Sequence, residues 1–219
     1  MRVKYCILIL LTVFTISCKT DSKNKMVKDE PTLIAIDSLL QDVSLLQDSF
    51  NEDNSTINEH LVEKLKPIQE NFKRINLITD WSFIDKEELW ETTEGGEARY
   101  YYQNEQLEKI VTHQFGETFQ VITEYYLLNG QLSFAYRKLY IYNRPIYYDS
   151  TMMKENNDNE MFDFEKSEIV EDRLYFANRK LIHQVYKQSS ESPLLSYDKP
   201  YWREEIITDF EKFIELAKK

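Results

Sequence analysis

The stretch YLLNGQL at residues 126–132 decides the fold. Its central dipeptide, Asn129-Gly130, favours a two-residue β-hairpin turn, because asparagine and glycine tolerate the positive φ angles that such a turn requires. Aromatic and aliphatic residues of the kind found in strands stand on both sides of it. The stretch therefore predicts two antiparallel strands joined at Asn129-Gly130.

The same pattern recurs along the chain. It occurs at residues 101–107 (YYQNEQL) and 175–181 (YFANRKL), and in weaker form at 140–146 (YIYNRPI). The asparagines of the four copies are 25, 14 and 35 residues apart, which is too irregular for a solenoid but fits successive hairpins of an antiparallel meander. The spacing resembles MORN-like hairpin repeats of bacterial surface and toxin-associated proteins, although their recurrent glycines are missing. The resemblance implies hairpin geometry and nothing about activity.

Helical periodicity flanks this region on both sides. Apolar residues recur at helical steps in two N-terminal runs and one C-terminal run, namely Ile36, Leu39, Val43, Leu46 and Phe50, then Ile57, Leu61, Leu65, Ile68, Phe72 and Ile75, and finally Ile206, Phe210, Phe213, Ile214 and Ala217. The first two runs predict a helical hairpin over 32–77, with either a kink or a new helix start at Pro67. The last run predicts a helix over 200–218 that packs on the sheet.

These patterns together predict an α+β fold. We expect a single domain over 32–219, in which two N-terminal helices and one C-terminal helix pack on an antiparallel meander sheet. The sheet lies within residues 81–187 and has about six to eight strands. The acidic stretch at 149–168 breaks the alternation of the strands and predicts a long mobile loop.

The N-terminus has the pattern of a bacterial signal peptide. Two basic residues precede an apolar run at 6–14, which is too short to cross a bilayer, because a spanning helix needs about 20 apolar residues. Residues 15–18, Thr-Ile-Ser-Cys, resemble the lipobox of bacterial lipoproteins, with threonine where leucine is usual. The resemblance implies that residues 1–17 are removed and that Cys18 becomes the lipid anchor.

Residues 18–31 are polar after the cysteine and predict a flexible tether between the lipid and the domain. The chain has two cysteines, and removal of the signal leaves only Cys18, so no intramolecular disulfide is expected. Lys19 favours the outer membrane by the sorting pattern of enteric lipoproteins. The alternatives are an ordinary secretory signal cleaved near Ser17 and an uncleaved apolar N-terminus.

The charge balance narrows the classes of partner. The chain has a net charge of −11, and loss of Arg2 and Lys4 with the signal would leave 25 basic against 38 acidic side chains, or −13. Such a surface repels nucleic-acid phosphates and anionic lipid head groups, so we expect no nucleic-acid partner. Membrane attachment would depend on the lipid on Cys18, and the remaining partner classes are proteins, peptides and glycans.

The sequence predicts no catalytic, metal or cofactor site. His60, His113 and His183 lack a second ligand at metal spacing, and the residues from Asn156 onward start like a calcium loop but have Met161 where glycine is required. With four glycines, no phosphate-cradling loop occurs. Carboxylates between residues 87 and 97 keep a glycosidase-like hydrolase as an alternative, because that chemistry needs only two acids across a sugar.

The repeated tyrosines are the candidate binding residues. Hairpin geometry pairs Tyr102 with Leu107, Leu127 with Leu132 and Phe176 with Leu181 on one face of the sheet, which should form the core. Strict alternation then places the first tyrosine of each repeat on the opposite face, together with charged residues. The candidate surface consists of Tyr101, Tyr126, Tyr175 and Arg137, near Arg99, Glu108, Glu124, Ser133 and Arg173. An open face of this kind would stack on a sugar ring or anchor a peptide. The alternative is that the tyrosines pack beneath a helix or loop and serve only stability.

Taken together, the sequence favours a lipid-anchored, non-catalytic binding module of the cell envelope. The two alternatives are an envelope hydrolase with paired carboxylates and an assembly lipoprotein that docks through its N-terminal helices.

Overall fold

The structure is a computed structural model that describes residues 55–189 and 199–218, with side chains for 59–189 and 204–218. The described elements, in chain order, are α1 (Ser55–Asn76), β1 (Phe83–Leu89), β2 (Gly96–Gln103), β3 (Gln106–Phe115), β4 (Phe119–Leu128), β5 (Gln131–Ile141), α2 (Ser150–Glu155), a 3-10 turn (Phe164–Lys166), β6 (Glu168–Ala177), β7 (Lys180–Gln188) and α3 (Lys199–Leu216). The predicted helix over 36–50 lies outside the described residues.

The seven strands form one antiparallel sheet in which strand order follows sequence order, from β1 at one edge to β7 at the other. Each strand therefore pairs with its neighbours in sequence, as the recurring hairpin signals predict. The α+β class and the meander topology are confirmed, and the number of strands falls within the expected range.

Three hairpins share one turn geometry. Both loop residues have positive φ in each, at Asn104-Glu105 (49° and 64°), Asn129-Gly130 (53° and 73°) and Asn178-Arg179 (50° and 61°). These values are those of the type I′ turn, whose twist matches that of the strands it joins. The expected pairs Tyr102–Leu107, Leu127–Leu132 and Phe176–Leu181 all form.

Each of these hairpins also contains a β-bulge next to the turn. One residue past the paired leucine, the returning strand holds one extra residue, which is Glu108 in β3, Ser133 in β5 and Ile182 in β7. An extra residue interrupts the alternation of side chains, so everything beyond it points to the face opposite to the one that strict alternation predicts. The Ser133 bulge is held by a 2.9 Å bond that its hydroxyl donates to the Tyr126 carbonyl.

Two expectations about the middle of the chain are wrong. The weak fourth copy at 140–146 forms no hairpin, because β5 ends at Ile141 and the chain then pairs with the β3–β4 loop, where the Tyr142 amide donates to the Thr118 carbonyl at 2.8 Å. The stretch at 149–168 contains α2 and the 3-10 turn. Asp149 caps α2 by accepting from two backbone amides, a local signal for a helix start inside an acidic segment.

Helix α1 continues through Pro67 without a new start, and Pro67 is exposed. The helix packs on one face of the sheet, where the buried cluster consists of Leu65, Ile68, Phe72, Ile75, Tyr126, Phe134, Tyr136 and Tyr175. We call this side the tyrosine face. Helix α3 packs on the other side, the leucine face, where Ile206 and Phe213 meet a cluster that includes Leu89, Ala98, Tyr100, Ile110, Tyr125, Leu127, Leu132, Ala135, Leu174 and Phe176.

Candidate functional site

The tyrosines proposed as a binding platform do not form an open surface. Tyr126 and Tyr175 do lie on the face opposite to the hairpin leucines, but each is only 1% exposed because α1 covers them. Phe72 of α1 contacts the Tyr126 ring with centroids 4.7 Å apart. Tyr101 is half-buried against Trp81 at 5.2 Å. The expectation of an accessible platform is therefore wrong, and these tyrosines belong to the packing beneath a helix.

Arg137 lies on the face opposite to the predicted one. The Ser133 bulge shifts the alternation of β5, so Phe134 and Tyr136 join the tyrosine face and Arg137 joins the leucine face. There its guanidinium donates to the Glu205 carboxylate of α3 at 2.9 Å. Arg137 thus anchors α3 to the sheet rather than accompanying the tyrosines.

The polar groups of the tyrosine face are bonded to one another. Lys109 forms an ion pair with Glu124 at 2.8 Å and donates to the Tyr126 hydroxyl at 3.2 Å. That hydroxyl in turn makes a short hydrogen bond to Glu124. Burial, followed by the Glu124 charge, raises the pKa of Tyr126 well above its ordinary value. The hydroxyl therefore stays protonated at neutral pH and serves as a structural donor.

A second polar link joins α1 to the first bulge. Arg74 binds Glu108 with both guanidinium nitrogens, at 2.6 and 3.2 Å, and also donates to Asn71 at 2.8 Å. The Asn71 amide donates to the Leu127 carbonyl at 2.8 Å. These bonds place the helix over the hairpin ends and satisfy the bulged Glu108.

The histidines and the acidic segment are not arranged as a metal site. His60 is exposed on α1, His113 bonds Gln120 at 3.1 Å, and the His183 ring packs on Tyr175 at 5.5 Å. Within the part of the chain that the structure describes, no group of three or more metal-ligating side chains occurs.

Two carboxylates of the acidic segment, Asp158 and Glu160, are bound to cations of the protein itself. Arg144 binds Asp158 with two nitrogens at 3.0 and 3.1 Å, and Lys166 pairs with Glu160 at 2.7 Å. The side-chain hydrogen bonds from Arg144 and Lys166 lower the pKa of Asp158 and of Glu160 respectively. The pairs fasten the chain between β5 and β6 rather than leaving ligands free for calcium.

Among the residues that the structure describes, a groove between α3 and the ends of the second and third hairpins is a candidate ligand surface. It has a volume of about 570 Å³, within the usual range of about 300–1,000 Å³ for ligand pockets. Five apolar side chains line it, namely Leu132, Phe176, Ile207, Phe210 and Ile214. We call it the hairpin groove. The part of α3 that borders it, from Ile207 to the helix end at Leu216, is about 14 Å long at about 1.5 Å per residue.

Charged side chains form the rim of the hairpin groove. Arg179, at the third hairpin turn, reaches Glu211 of α3 at 3.1 Å, and Lys218 pairs with Glu215 at 2.6 Å. Lys212 forms an ion pair with Glu91 in the β1–β2 loop. An apolar interior within a polar rim is the usual anatomy of a site that buries part of a partner. All three pairs are solvent-exposed, so a ligand can displace them at small cost.

Part of this groove was visible in the sequence. The C-terminal stripe contains Phe210 and Ile214, but it omits Ile207, which extends the apolar arc of α3 beyond the width that one contact with the sheet buries. Ile206 and Phe213 are 1% exposed, whereas Ile207, Phe210 and Ile214 are only partly buried. The additional apolar residues on α3 were the sequence signal for an exposed apolar surface. Their position beside two hairpin ends could be found only from the tertiary structure.

Comparison with known proteins provides no relative for this chain, since no family model, no curated protein and no solved structure matches it.

The predicted lipid anchor, Cys18, lies outside the described residues. Among the described helices, none is long and apolar enough to cross a membrane.

Proposed function

We propose that the protein is a lipid-anchored module of the bacterial cell envelope, non-catalytic, which binds an apolar segment of a partner protein in the hairpin groove. The lipid would sit on Cys18, with residues 18–31 as the tether, and Lys19 favours the outer membrane. The observation that carries the binding role is the groove itself, which has an apolar interior, a charged rim and a volume of about 570 Å³.

The pairing of charged and polar side chains within the described chain favours a binding role over a catalytic one. The buried Lys109, Glu124 and Tyr126 are bonded to one another on the tyrosine face. Beside the groove, Glu211 and Glu215 each pair with a cation and are exposed. Hydrolysis of a glycoside requires two carboxylates on opposite sides of one bond. Glu211 and Glu215 lie one helical turn apart on the same helix. Of the carboxylates between residues 87 and 97, Glu91 and Glu97 form ion pairs with Lys212 and Lys86.

A protein segment suits the groove better than a glycan. The prediction of sugar binding depends on exposed tyrosine rings. Tyr126 and Tyr175 are buried, so they do not offer a stacking surface for a sugar. The aliphatic and phenylalanine side chains of the groove offer apolar area but few directed hydrogen-bond groups, so they match side chains such as leucine or phenylalanine. A stretch of partner with two or three such residues would fill the available volume.

Docking through the outward side of α1 is not supported by its described residues. Apart from Pro67, the exposed side chains of α1 are polar, among them Glu59, Glu63, Lys66, Glu70 and Lys73. Such a surface is typical of a solvated helix. The groove on the opposite side of the sheet is therefore the better candidate for assembly contacts as well.

A photo-crosslinker at Gln131, which borders the groove, tests the binding role in intact cells. We expect crosslinking to one partner, and we expect Ile214→Glu to abolish it, because a carboxylate in the apolar interior would lose its hydration. Leu77→Glu is the matched control, since Leu77 is 76% exposed and far from the groove in sequence. Capture that survives Ile214→Glu, or that Leu77→Glu removes equally, would contradict the groove as the binding site.

The anchor is tested separately by Cys18→Ala. We expect the variant to lose both metabolic lipid labelling and partition with membranes, because the thiol is the only lipid acceptor at the lipobox position. Cys18→Ser should behave in the same way, because it also lacks the thiol, and recovery of either variant outside the cytoplasm distinguishes loss of the lipid from a failure of export. Unchanged labelling in Cys18→Ala would show that the lipoprotein assignment is wrong while leaving the groove hypothesis intact.

A further inference from the structure

The β1 edge of the sheet is a second surface with the features of a docking site. Among the described residues, β1 pairs with β2 on one side only and is the first strand of the sheet. Six of its seven residues are exposed or half-exposed, with Leu89 buried. An edge strand of this length presents a row of backbone N–H and C=O groups that an additional strand can pair with.

Exposed aromatic side chains stand at both ends of this edge. Phe83 is 58% exposed at the start of β1, and Trp90, immediately after its last residue, is 78% exposed. Large aromatic groups left in water at the ends of an unpaired strand offer apolar contacts to a segment lying along it.

The charges of β1 are predominantly acidic. Its register with β2 places Asp85 opposite Tyr100 and Glu87 opposite Ala98, so both carboxylates lie on the leucine-face side. The strand's one basic residue, Lys86, points to the other side and forms an ion pair with Glu97. Among the residues that the structure describes, no basic side chain forms an ion pair with Asp85 or Glu87, so the leucine-face side of β1 presents negative charge.

A buried hydroxyl adjoins these carboxylates. The Tyr100 ring is fully buried, and its hydroxyl has no hydrogen-bond partner among the described residues. Asp85 is the cross-strand partner of Tyr100. Burial raises the pKa of the Tyr100 phenol, and the charges of Glu87 and Asp85 raise it further. A cationic group bound between the carboxylates would also offer a donor beside the phenol oxygen.

A second copy of the chain fits this edge poorly. Antiparallel pairing of two β1 strands about their centre would bring Lys86 opposite Lys86 and Asp85 opposite Glu87. Like charges directly opposite each other destabilise a strand pair. A strand with positive side chains at alternate positions has the complementary charge.

We propose that β1 binds an extended basic segment of a partner protein by strand addition, with lysine or arginine side chains at alternate positions opposite Asp85 and Glu87. This inference concerns a surface separate from the hairpin groove and does not depend on the groove being occupied. The backbone pairing would supply affinity, and the carboxylates would select basic over acidic sequences.

Synthetic peptides test the proposal on the full protein as purified from membranes in detergent. The probe is an acetylated and amidated TKVKVKVKT peptide, and its controls replace every lysine by glutamate or methylate every second backbone nitrogen. Titration is followed by calorimetry and by tryptophan fluorescence, to which Trp90 contributes. We expect the lysine peptide to bind and the glutamate peptide to bind about tenfold more weakly or worse. Two N-methylated peptides carry their methyl groups on alternate sets of backbone nitrogens. Only the peptide whose methylated nitrogens face β1 should lose binding.

Charge reversal distinguishes strand addition from adsorption to an acidic protein. The double variant Asp85→Lys/Glu87→Lys should prefer the glutamate peptide, whereas the control Glu155→Lys/Glu165→Lys, with the same change of net charge at exposed positions elsewhere, should keep the lysine preference. Equal binding of all peptides, no effect of N-methylation, or equal effects of the two double variants would overturn the proposal. A concentration-dependent dimer that competes with the peptide would also overturn it, in favour of self-association. The groove variant Ile214→Glu should bind the lysine peptide normally, so that failure of one proposal is distinguishable from failure of the other.

Discussion

The two faces of the sheet are both buried, but they are held by different kinds of contact. On the leucine face, α3 packs aliphatic and aromatic side chains against the hairpin leucines, and Arg137–Glu205 joins its N-terminal part to the sheet. On the tyrosine face, α1 packs on aromatic rings and also bonds to Glu108 and the Tyr126 hydroxyl. Neighbouring residues of one strand thus enter two different environments.

The difference shows where this protein can accommodate a partner. The tyrosine face beneath α1 has polar groups that are mutually bonded, and opening it would leave charges without partners. The leucine face beneath α3 leaves Ile207, Phe210 and Ile214 only partly covered. A binding site is more compatible with the second arrangement, because its unfilled space is apolar and its rim pairs are exposed.

The largest expected effect compares adjacent residues that point to opposite faces. Leu174 and Tyr175 are 0% and 1% exposed, beneath α3 and α1 respectively. Leu174→Ala should lower the free energy of unfolding by about 2–5 kcal/mol and Tyr175→Ala by about 3–5 kcal/mol, because each leaves a cavity. Chemical denaturation measures both. A Tyr175→Ala variant of nearly unchanged stability would mean that α1 does not cover the tyrosine face.

The next prediction concerns the buried ion pair of the tyrosine face. Lys109→Ala should cost about 3 kcal/mol, because it leaves Glu124 buried without its cation. The double variant Lys109→Met/Glu124→Leu should be less destabilised than the single variant, since neither charge then remains. If the double variant loses as much stability as the sum of the two single variants, Lys109 and Glu124 act independently and the ion pair contributes no coupling energy. Arg179→Ala on the exposed groove rim is the control and should change stability by about 1 kcal/mol or less.

A smaller effect tests the turns that set the register of both faces. Glu105 has a φ of 64° at the second position of its turn, where the second hairpin has Gly130. Glu105→Gly should raise the free energy of unfolding by about 1 kcal/mol, because glycine adopts positive φ without the steric cost that a Cβ imposes. Glu117→Gly is the control in another exposed loop without positive φ, and it should not stabilise the protein. A loss of stability in Glu105→Gly would indicate that the turn has a different geometry.

The smallest expected effect is a pH dependence on the leucine face. Burial, followed by the Glu205 charge, raises the pKa of Asp209 in α3 above its ordinary value of 3.8, while Arg137 and Lys212 oppose the rise. Ionising this carboxyl is therefore harder in the folded state than in the unfolded state. Its ionisation lowers the free energy of unfolding as the pH rises through the folded-state pKa. Asp209→Asn should melt at a slightly higher temperature than the natural chain at pH 7.

The same comparison at low pH is the control for Asp209→Asn. As the pH falls below the ordinary pKa of 3.8, the natural side chain becomes protonated in both the folded and the unfolded state, so the advantage of asparagine should shrink. A constant difference in melting temperature from pH 7 to pH 3.5 would show that the substitution acts through packing rather than through the charge.

Local sequence signals were enough for the architecture of the described chain. The asparagine turns, the three leucine pairings and the helices α1 and α3 follow from short-range patterns, because turn geometry and apolar periodicity are properties of a few consecutive residues. The one hairpin signal that failed, at 140–146, has Pro145 directly after the turn dipeptide Asn143-Arg144, and proline cannot donate the backbone hydrogen bond that a continuing strand requires.

The tertiary structure alone decided which side chains face solvent. A bulge residue such as Ser133 looks like any other strand residue in the sequence, yet it moved Arg137 to the opposite face by one step of the alternation. Whether Tyr126 and Tyr175 were accessible depended on where α1 came to rest, a contact between residues more than fifty positions apart in the chain, as in the bond from Asn71 to the Leu127 carbonyl. The hairpin groove likewise exists only because α3 lies beside two hairpin ends, so its residues share no local pattern that would have identified them together.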